Sequence, residues 1–231
     1  MRQVVSVGHR GAAGHAPENT LDAVHKGIAL GADFVEIDVR RTADGALVAL
    51  HDATVNRTTN GKGRVDRMRL RDVKQLDAGN GEQIPTLEEV LEAAAGRAGL
   101  MLELKVPGAA RQTVEAVRKA GFKDPVIYAS FLHDELPQVL AIDRGASLMV
   151  LFGRLPSNPV AHSMQYKPSH VGLRHDTANR RLVEAFHTSN LLVFVYTPNS
   201  PRDICRTLSV GVDGVISNFP ERLDQAGGKR L

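Results

Sequence analysis

The chain is poor in the residues that support several common kinds of functional site. It has one cysteine, Cys205, which excludes an intramolecular disulfide and a cysteine-rich metal site. Cys205 lies in a stretch of helical pattern with no obvious activating base nearby in the sequence, so we expect a structural thiol rather than a nucleophile. Tryptophan is absent and aromatic residues make up only 4% of the chain, which disfavours an aromatic platform for single-stranded nucleic acid.

Long apolar runs are also missing from the sequence. The apolar run at residues 191–196 is far too short to span a bilayer. Met1-Arg2-Gln3 leads directly into a short apolar strand pattern, without the apolar region of a signal peptide. We therefore expect a cytoplasmic protein with no stable membrane insertion.

The excess of positive charge is small. There are 29 basic and 26 acidic residues, for a net charge of +3, and the basic residues are scattered rather than clustered. We therefore expect no nucleic-acid partner, whereas a small anionic substrate would suit this charge balance. The glycine-rich stretches match neither of the common nucleotide-binding loop motifs.

Strand and helix patterns alternate along the whole chain. Short apolar runs rich in β-branched residues, typical of strands buried on both faces, occur at residues 4–8, 34–39, 100–105, 126–130, 148–152, 170–173, 191–197 and 214–217. Helical patterns occupy residues 19–30, 86–95, 110–120, 135–142, 180–188 and 202–210. Eight strands with intervening helices favour an α/β fold of the TIM-type (β/α)8 barrel class, and a doubly wound open sheet is the alternative.

One region interrupts this alternation. Residues 42–85 are too long for an ordinary connection between a strand and a helix, and they contain a short strand pattern at 47–50. We expect residues 1–231 to form a single barrel domain, with residues 42–85 inserted after the second barrel strand as a lid or small cap. Residues 156–168 are expected to be a loop within the barrel.

Charged residues occur within two of the apolar strand patterns. Glu36 and Asp38 share one side of their strand, as do Glu103 and Lys105, because side chains two residues apart point the same way. Carboxylates in apolar strands are costly to bury unless a cation compensates them. A divalent cation with oxygen ligands is one such compensation, and an internal Glu103–Lys105 ion pair is the structural alternative.

Histidines follow strand patterns in the same way, at His9-Arg10 and at His51. Barrel enzymes carry their chemistry at the carboxyl ends of the strands, so these residues and the carboxylates are expected to meet. Ester hydrolysis needs a base for the nucleophile and an acid for the leaving alcohol, and two histidines can divide these roles. Three carboxylates, one divalent cation, Arg10 and Lys105 would leave about one positive charge, which matches a phosphodiester anion.

Taken together, the motifs resemble those of the glycerophosphodiester phosphodiesterases, of the bacterial cytoplasmic type, over nearly the whole chain. The motifs that carry the resemblance stand in order as Gly8-His9-Arg10-Gly11, Pro17-Glu18-Asn19-Thr20, Glu36-Ile37-Asp38-Val39, Leu50-His51-Asp52, Asn56-Arg57-Thr58-Thr59, Ile84-Pro85-Thr86-Leu87-Glu88-Glu89, Glu103-Leu104-Lys105 and Ser130-Phe131.

The resemblance implies a TIM-type barrel that hydrolyses glycerophosphodiesters to sn-glycerol 3-phosphate and an alcohol. It implies one divalent cation, Mg²⁺ or Ca²⁺, as cofactor. It also implies residue roles, with a metal held by Glu36, Asp38 and Glu103, acid/base catalysis by His9 and His51, and phosphate binding by Arg10 and Lys105. The preferred alcohol and the oligomeric state are left open.

Two departures from the family pattern fall in the C-terminal half. Family members often have Trp-Thr-x-Asn after the seventh strand, where this chain has Tyr196-Thr197-Pro198-Asn199, so Tyr196 is expected to form the substrate wall. The closing motif often contains Thr-Asp, where this chain has Ser217-Asn218. Neither departure is expected to touch the metal or the histidines.

Two alternatives to this function stay open. One is a lysophospholipase D-like or phospholipase C-like lipid phosphodiesterase on the same barrel, although no exposed aromatic or amphipathic stretch clearly supplies the apolar rim that a lipid needs. The other is a non-catalytic barrel that binds phosphodiesters, against which the retention of all three carboxylates and both histidines argues.

Overall fold

Eight short apolar strands form the centre of the molecule, which we describe from a computed structural model for residues 3–227. The parallel strands are β1 (Val5–Gly8), β2 (Phe34–Arg41), β4 (Gly99–Leu104), β5 (Val126–Ser130), β6 (Ser147–Phe152), β7 (His170–Arg174), β8 (Leu192–Tyr196) and β9 (Gly214–Ser217). Each strand pairs with the next along this series, and β1 pairs with both β9 and β2. The sheet is therefore a closed barrel, which confirms the predicted fold and excludes the open sheet.

Helices connect most of these strands and cover the outside of the barrel. The main helices are α1 (Leu21–Ala29), α3 (Leu87–Ala94), α4 (Ala109–Lys119), α5 (Glu135–Ile142), α6 (Pro159–Met164), α7 (Arg180–Thr188) and α8 (Pro201–Ser209), and a short α9 (Arg222–Gln225) follows β9. Thr86 and Glu89 form a capping box at the start of α3.

Two helix predictions are wrong in detail. The pattern predicted at residues 19–30 starts too early, because α1 begins at Leu21 and its cap is Thr20, whose side chain accepts from the amide of Ala23. The stretch at 156–168 is not only loop, because α6 forms there with Asn158 as its cap and Pro159 in its first turn. The helix is too short to show an apolar period, although an asparagine followed by proline is a typical helix start.

Alternation along the strands separates two apolar cores. One set of side chains packs outward against the helices, and the other fills the barrel, where it comprises Val7, Met101, Ile127, Ala129, Met149, Leu151, Phe194 and Ile216. Continuing the inward alternation past this set leads to the carboxyl end of the barrel, where ligands bind in this fold. One further position is needed on six of the strands, and two on β2 and β4, where Glu36 and Glu103 come first. These end positions are His9, Asp38, Lys105, Phe131, Gly153, Arg174, Tyr196 and Asn218.

The segment between β2 and α3 extends the sheet and then leaves it. β3 (Leu47–Ala49) pairs antiparallel with the end of β2, and a 3-10 turn (Val65–Arg67) and α2 (Leu70–Val73) follow. The segment has an apolar cluster of its own, formed by Val48, Leu50, Val55, Val65, Val73, Ala78 and Ile84. The limits 42–85 and the single domain remain predictions.

Within residues 3–227, none of the helices combines the length and apolar character that crossing a membrane requires. The cytoplasmic location remains a prediction.

Candidate active site

A cavity of about 170 Å³ lies at the carboxyl ends of the strands. Of the site residues predicted from the sequence, it is lined by His9, Arg10, Glu36, His51, Glu103 and Tyr196. The other two, Asp38 and Lys105, lie against the same carboxylates without lining the cavity. The structure thus brings together residues that are far apart in the sequence.

The three carboxylates form one cluster. Glu36, Asp38 and Glu103 each place an oxygen within 4.8 Å of the other two. Burial, together with the charges of Asp38 and Glu103, raises the pKa of Glu36 well above its usual range. Burial and the charge of Asp38 raise the pKa of Glu103 to about 7, although Lys105 acts in the opposite direction. The cluster therefore concentrates negative charge in a place where water stabilises it poorly.

Cationic side chains compensate only part of this charge. Lys105 Nζ lies 2.5 Å from Glu103 and 3.3 Å from Asp38, and Arg10 Nε lies 3.3 Å from Asp38. These two cations hold the pKa of Asp38 below its usual value despite its burial. Glu36 Oε1, however, is buried and has no hydrogen-bond partner among residues 3–227. An internal ion pair alone therefore does not account for the cluster.

Backbone geometry also positions these carboxylates. Glu36 Oε2 accepts a hydrogen bond of 2.8 Å from the backbone amide of Arg10, and Arg10 has a positive φ of 51°. Asn19, with a φ of 59°, donates from Nδ2 to Asp38 Oδ2 at 2.9 Å and accepts from the backbone amide of Asp38. Asn19 therefore orients Asp38 rather than capping α1.

His9 is oriented by Asn218. The His9 Nδ1–H donates to Asn218 Oδ1 at 2.6 Å, since an amide oxygen can only accept. This fixes the tautomer of neutral His9 and leaves its Nε2 without a proton, 4.0 Å from Glu36. Burial and the nearby charge of Arg10 lower the pKa of His9 to about 4. The expectation that the Asn218 departure does not touch the histidines is wrong.

His51 is oriented by a chain of charged side chains. Its Nδ1 lies 2.7 Å from Asp52 Oδ1, and Arg57 donates both to Asp52 and to Glu18. Hydrogen bonds from Arg57, together with the contact to His51, lower the pKa of Asp52. Glu18 also accepts from Arg10 at 2.7 Å. The inserted segment, through Arg57, is thereby linked to the residues around the carboxylates.

The opposite wall of the cavity is aromatic and aliphatic. Tyr196 donates its hydroxyl hydrogen bond to the backbone oxygen of Phe152 at 2.6 Å, so it presents its ring rather than its hydroxyl. Phe131 meets that ring edge-to-face, with 5.8 Å between centroids. Phe131 and Leu132 are 41% and 40% exposed. An exposed apolar pair therefore does occur at the mouth, contrary to the expectation from the sequence.

Four supporting residues received no role in the sequence analysis. Glu18, Asn19 and Arg57 lie inside motifs that carried the family resemblance, so the motifs themselves were the available signal. Asn218 was noted only as a departure. Its contact with His9 joins positions 209 residues apart, which no local pattern reveals.

A closed parallel barrel with charged groups gathered at the carboxyl ends of its strands is typical of the TIM-barrel enzymes. Comparison with known proteins narrows this class. The model of the glycerophosphoryl diester phosphodiesterase family matches residues 9–222. The chain belongs to that family, and it is an enzyme of the phosphoric diester hydrolase type.

Individual relatives are similar to this chain in sequence over nearly its full length. The chain is 34% identical to a glycerophosphodiester phosphodiesterase of Caldanaerobacter subterraneus, covering 94% of this chain and 95% of the relative. A glycerophosphodiester phosphodiesterase of Bacillus subtilis is 32% identical, with 95% and 85% covered.

Solved structures agree with the fold. A phosphodiesterase of Oleispira antarctica, in complex with the product sn-glycerol-3-phosphate, has a TM-score of 0.91 at 28% identity, with 98% of each chain covered. A glycerophosphodiester phosphodiesterase of Agrobacterium tumefaciens has a TM-score of 0.83 at 30% identity, with 96% of this chain and 99% of that chain covered.

Proposed function

We propose that this protein hydrolyses small glycerophosphodiesters to sn-glycerol 3-phosphate and an alcohol, using a divalent cation and a pair of histidines. The observation that carries the proposal is the carboxylate cluster in which Glu36 Oε1 is buried without a partner, beside a cavity that both His9 and His51 line. Family membership and the product in the Oleispira antarctica structure support the substrate class.

The donor set fits a hard divalent cation. Glu36, Asp38 and Glu103 offer only carboxylate oxygens, which Mg²⁺ and Ca²⁺ prefer, and the raised pKa values of Glu36 and Glu103 show that the cluster is short of positive charge. These three residues would hold the cation. When bound, it would polarise the phosphoryl oxygens and stabilise the charge that develops on them.

Arg10 and Lys105 are the nearest side chains that can add positive charge on the phosphate. Both already touch the carboxylate cluster, at 3.3 Å from Asp38 in each case. Burial opposes the charge on Lys105, but Glu103 and Asp38 outweigh it and raise the pKa of Lys105, which keeps the ammonium charged. A phosphodiester anion beside these cations would be drawn to the same end of the barrel.

The two histidines differ in the group that their Nδ1 contacts. His9 is neutral at pH 7, given its pKa of about 4, and its Nε2 lone pair can accept a proton from the attacking hydroxyl or water. His51 has a carboxylate at Nδ1, and Asp52 can stabilise the positive charge that His51 carries as a proton donor to the leaving alcohol. We therefore assign His9 as the base and His51 as the acid.

The direct test is turnover by the purified protein. Glycerophosphoglycerol should release glycerol 3-phosphate in the presence of Mg²⁺ or Ca²⁺, detected with a coupled dehydrogenase assay, and a chelator should abolish the release. Absence of glycerol 3-phosphate with either cation would refute the proposal. Binding of the diester without turnover would establish the non-catalytic alternative.

The exposed pair Phe131 and Leu132 favours a second candidate, a lipid phosphodiesterase of the lysophospholipase D type. Turnover of lysophosphatidylcholine and of glycerophosphocholine separates the two functions. Activity confined to the lipid would replace our proposal, since two apolar side chains would then suffice to guide an acyl chain to the site.

A further inference from the structure

A second, more open cavity of about 400 Å³ adjoins the first at the ends of β6, β7 and β8. Phe131, Tyr196 and Thr197 line both cavities, so a diester in the first cavity can extend into the second past these side chains. The rest of its lining includes Gly153, Arg174 and Asp176. No sequence motif marks this place.

Strand alternation accounts for the position of Arg174. It occupies the inward side of β7 with His170 and Gly172, since Val171 and Leu173 pack outward. In the β7–β8 ladder Arg174 pairs with Tyr196, whose ring faces the first cavity. Arg174 is therefore the charged end position on the half of the barrel mouth that is otherwise formed by Phe131, Gly153 and Tyr196.

Arg174 and Asp176 form an ion pair in which about half of each side chain is exposed. Arg174 Nε and Nη2 donate to the two oxygens of Asp176 at 3.0 and 2.5 Å. Those hydrogen bonds lower the pKa of Asp176 to about 2, so both side chains are charged at neutral pH. The turn that carries them is held by Arg206, which donates to the backbone oxygen of His175 at 2.9 Å. The backbone of this turn is thereby tied to α8.

The pair offers both kinds of hydrogen-bonding group to a ligand. A guanidinium has five N–H groups, and the ion pair uses only two of them. The carboxylate oxygens of Asp176 keep further lone pairs. Gly153 contributes no side chain to the lining, and a β-carbon built there would lie in ordinary contact with Phe131, at 3.8 Å. Adjacent hydroxyl groups could donate to Asp176 and accept from Arg174.

A quaternary ammonium group would fit less well. Such a cation is recognised by open aromatic faces and an unpaired negative charge. Here Asp176 is neutralised by Arg174, and the ring of Tyr196 is met edge-to-face by Phe131. Arg174 would also repel the cation. A long alkyl chain could pack on Phe131 and Tyr196, but it would cover Arg174 and Asp176 without offering them a hydrogen bond.

On the basis of the function proposed above, we propose that the second cavity binds the leaving alcohol and that Arg174 and Asp176 select a neutral polyhydroxy alcohol. The phosphate would lie in the first cavity, and the alcohol would pass the wall formed by Phe131 and Tyr196. The pair would then contact hydroxyl groups on the part of the substrate that departs.

The test compares three diesters that differ only in the leaving alcohol: glycerophosphoglycerol, glycerophosphocholine and glycerophosphomethanol. The methyl group is too small to reach Arg174. Arg174→Ala should lower kcat/KM for the glycerol diester about tenfold relative to the methyl diester, because charge-assisted hydrogen bonds are lost. The same variant should raise kcat/KM for the choline diester, because Asp176 is then unpaired. Gly153→Val should narrow the cavity and lower activity on both larger diesters.

The insertion provides a matched control. Arg64 and Asp66 form an exposed pair with the same spacing and the same 3.0 and 2.5 Å hydrogen bonds, away from both cavities. Arg64→Ala should leave all three activities unchanged. If the glycerol-to-methyl ratio stays within about twofold in Arg174→Ala and Gly153→Val, the alcohol assignment is wrong while the diesterase function stands. If the unaltered protein hydrolyses none of the three, the proposed function itself fails, and this inference with it.

Discussion

The two halves of the barrel mouth are built on the same backbone plan but differ in their side chains. On β9, β1, β2 and β4 the inward end positions are Asn218, His9, Asp38 and Lys105, and all of them are linked to charged or hydrogen-bonded partners. On β5 to β8 they are Phe131, Gly153, Arg174 and Tyr196. Each strand supplies one end position, so the side-chain chemistry divides the mouth without any change in topology.

The charged half is crowded, whereas the other half has space. In the first, Glu36, Asp38 and Glu103 meet within 4.8 Å, and two cations touch them. In the second, Gly153 leaves a cavity beside a self-contained ion pair. In our proposals the first half performs the phosphodiester chemistry and the second recognises the alcohol, so variants of each half should have separable effects.

The largest effect is expected from the carboxylates of the charged half. Glu36→Gln or Glu103→Gln removes a charged ligand from the proposed cation site, and cation-dependent hydrolysis should fall to background. Turnover with Mg²⁺ or Ca²⁺ and calorimetric titration of the cation measure this. Glu88→Gln, on the exposed face of α3, is the matched control and should retain full activity. Wild-type rates from either cluster variant would refute the ligand assignment.

Removal of His51 should have the next largest effect. His51→Ala should lower kcat by at least about a hundredfold, because a general acid contributes roughly this much or more. Cation affinity should be nearly unchanged, since His51 contacts Asp52 and not the three-carboxylate cluster. Kinetics and calorimetry on one preparation separate the two quantities. His25→Ala, exposed on α1, serves as control. A collapse of cation affinity would make His51 a ligand instead.

The barrel could be predicted from the sequence because each strand and most helices leave a pattern within a short stretch of the chain. Buried parallel strands are short apolar runs, and a pair such as Glu36 and Asp38 on one side of such a run stands out against its neighbours. Periodicity likewise located most of the long helices. A six-residue helix such as α6 has too few turns for a period, and it was missed.

The supporting contacts were harder to predict because they join distant parts of the chain. Asn218 reaches His9 across the closure of the barrel, and Asn19 bonds to Asp38 instead of capping the adjacent helix. Arg174 was overlooked because the apolar pattern of its strand stops at Leu173, whereas the ladder extends one residue further. The role of a residue at the end of a strand depends on which residues of the adjacent strands it contacts. Those contacts are known only when the strand register is known.

A carboxylate in place of Asn218 tests how the charged half controls His9. Asn218→Asp should raise the pKa of His9 above its value of about 4, because a carboxylate at Nδ1 favours the protonated imidazole. A base must be unprotonated, so the loss of kcat/KM on acidification should begin at higher pH in the variant. Activity between pH 4 and 8 and proton NMR of the histidines measure this. Asn158→Asp, at the cap of α6, adds the same charge elsewhere and should not shift the profile.

The smallest effect is expected on β8, in the less crowded half of the mouth, where Tyr196 is proposed to act as a wall by shape alone. Tyr196→Phe keeps the ring and leaves the backbone oxygen of Phe152 without its 2.6 Å hydrogen bond. The free energy of unfolding in urea should therefore fall by about 1 kcal/mol, while kcat/KM for glycerophosphoglycerol stays within about twofold. Tyr166→Phe is the control, because the Tyr166 hydroxyl makes no hydrogen bond within residues 3–227. A large loss of activity in Tyr196→Phe with normal stability would mean that the hydroxyl acts on the substrate, and that Tyr196 is more than a passive wall.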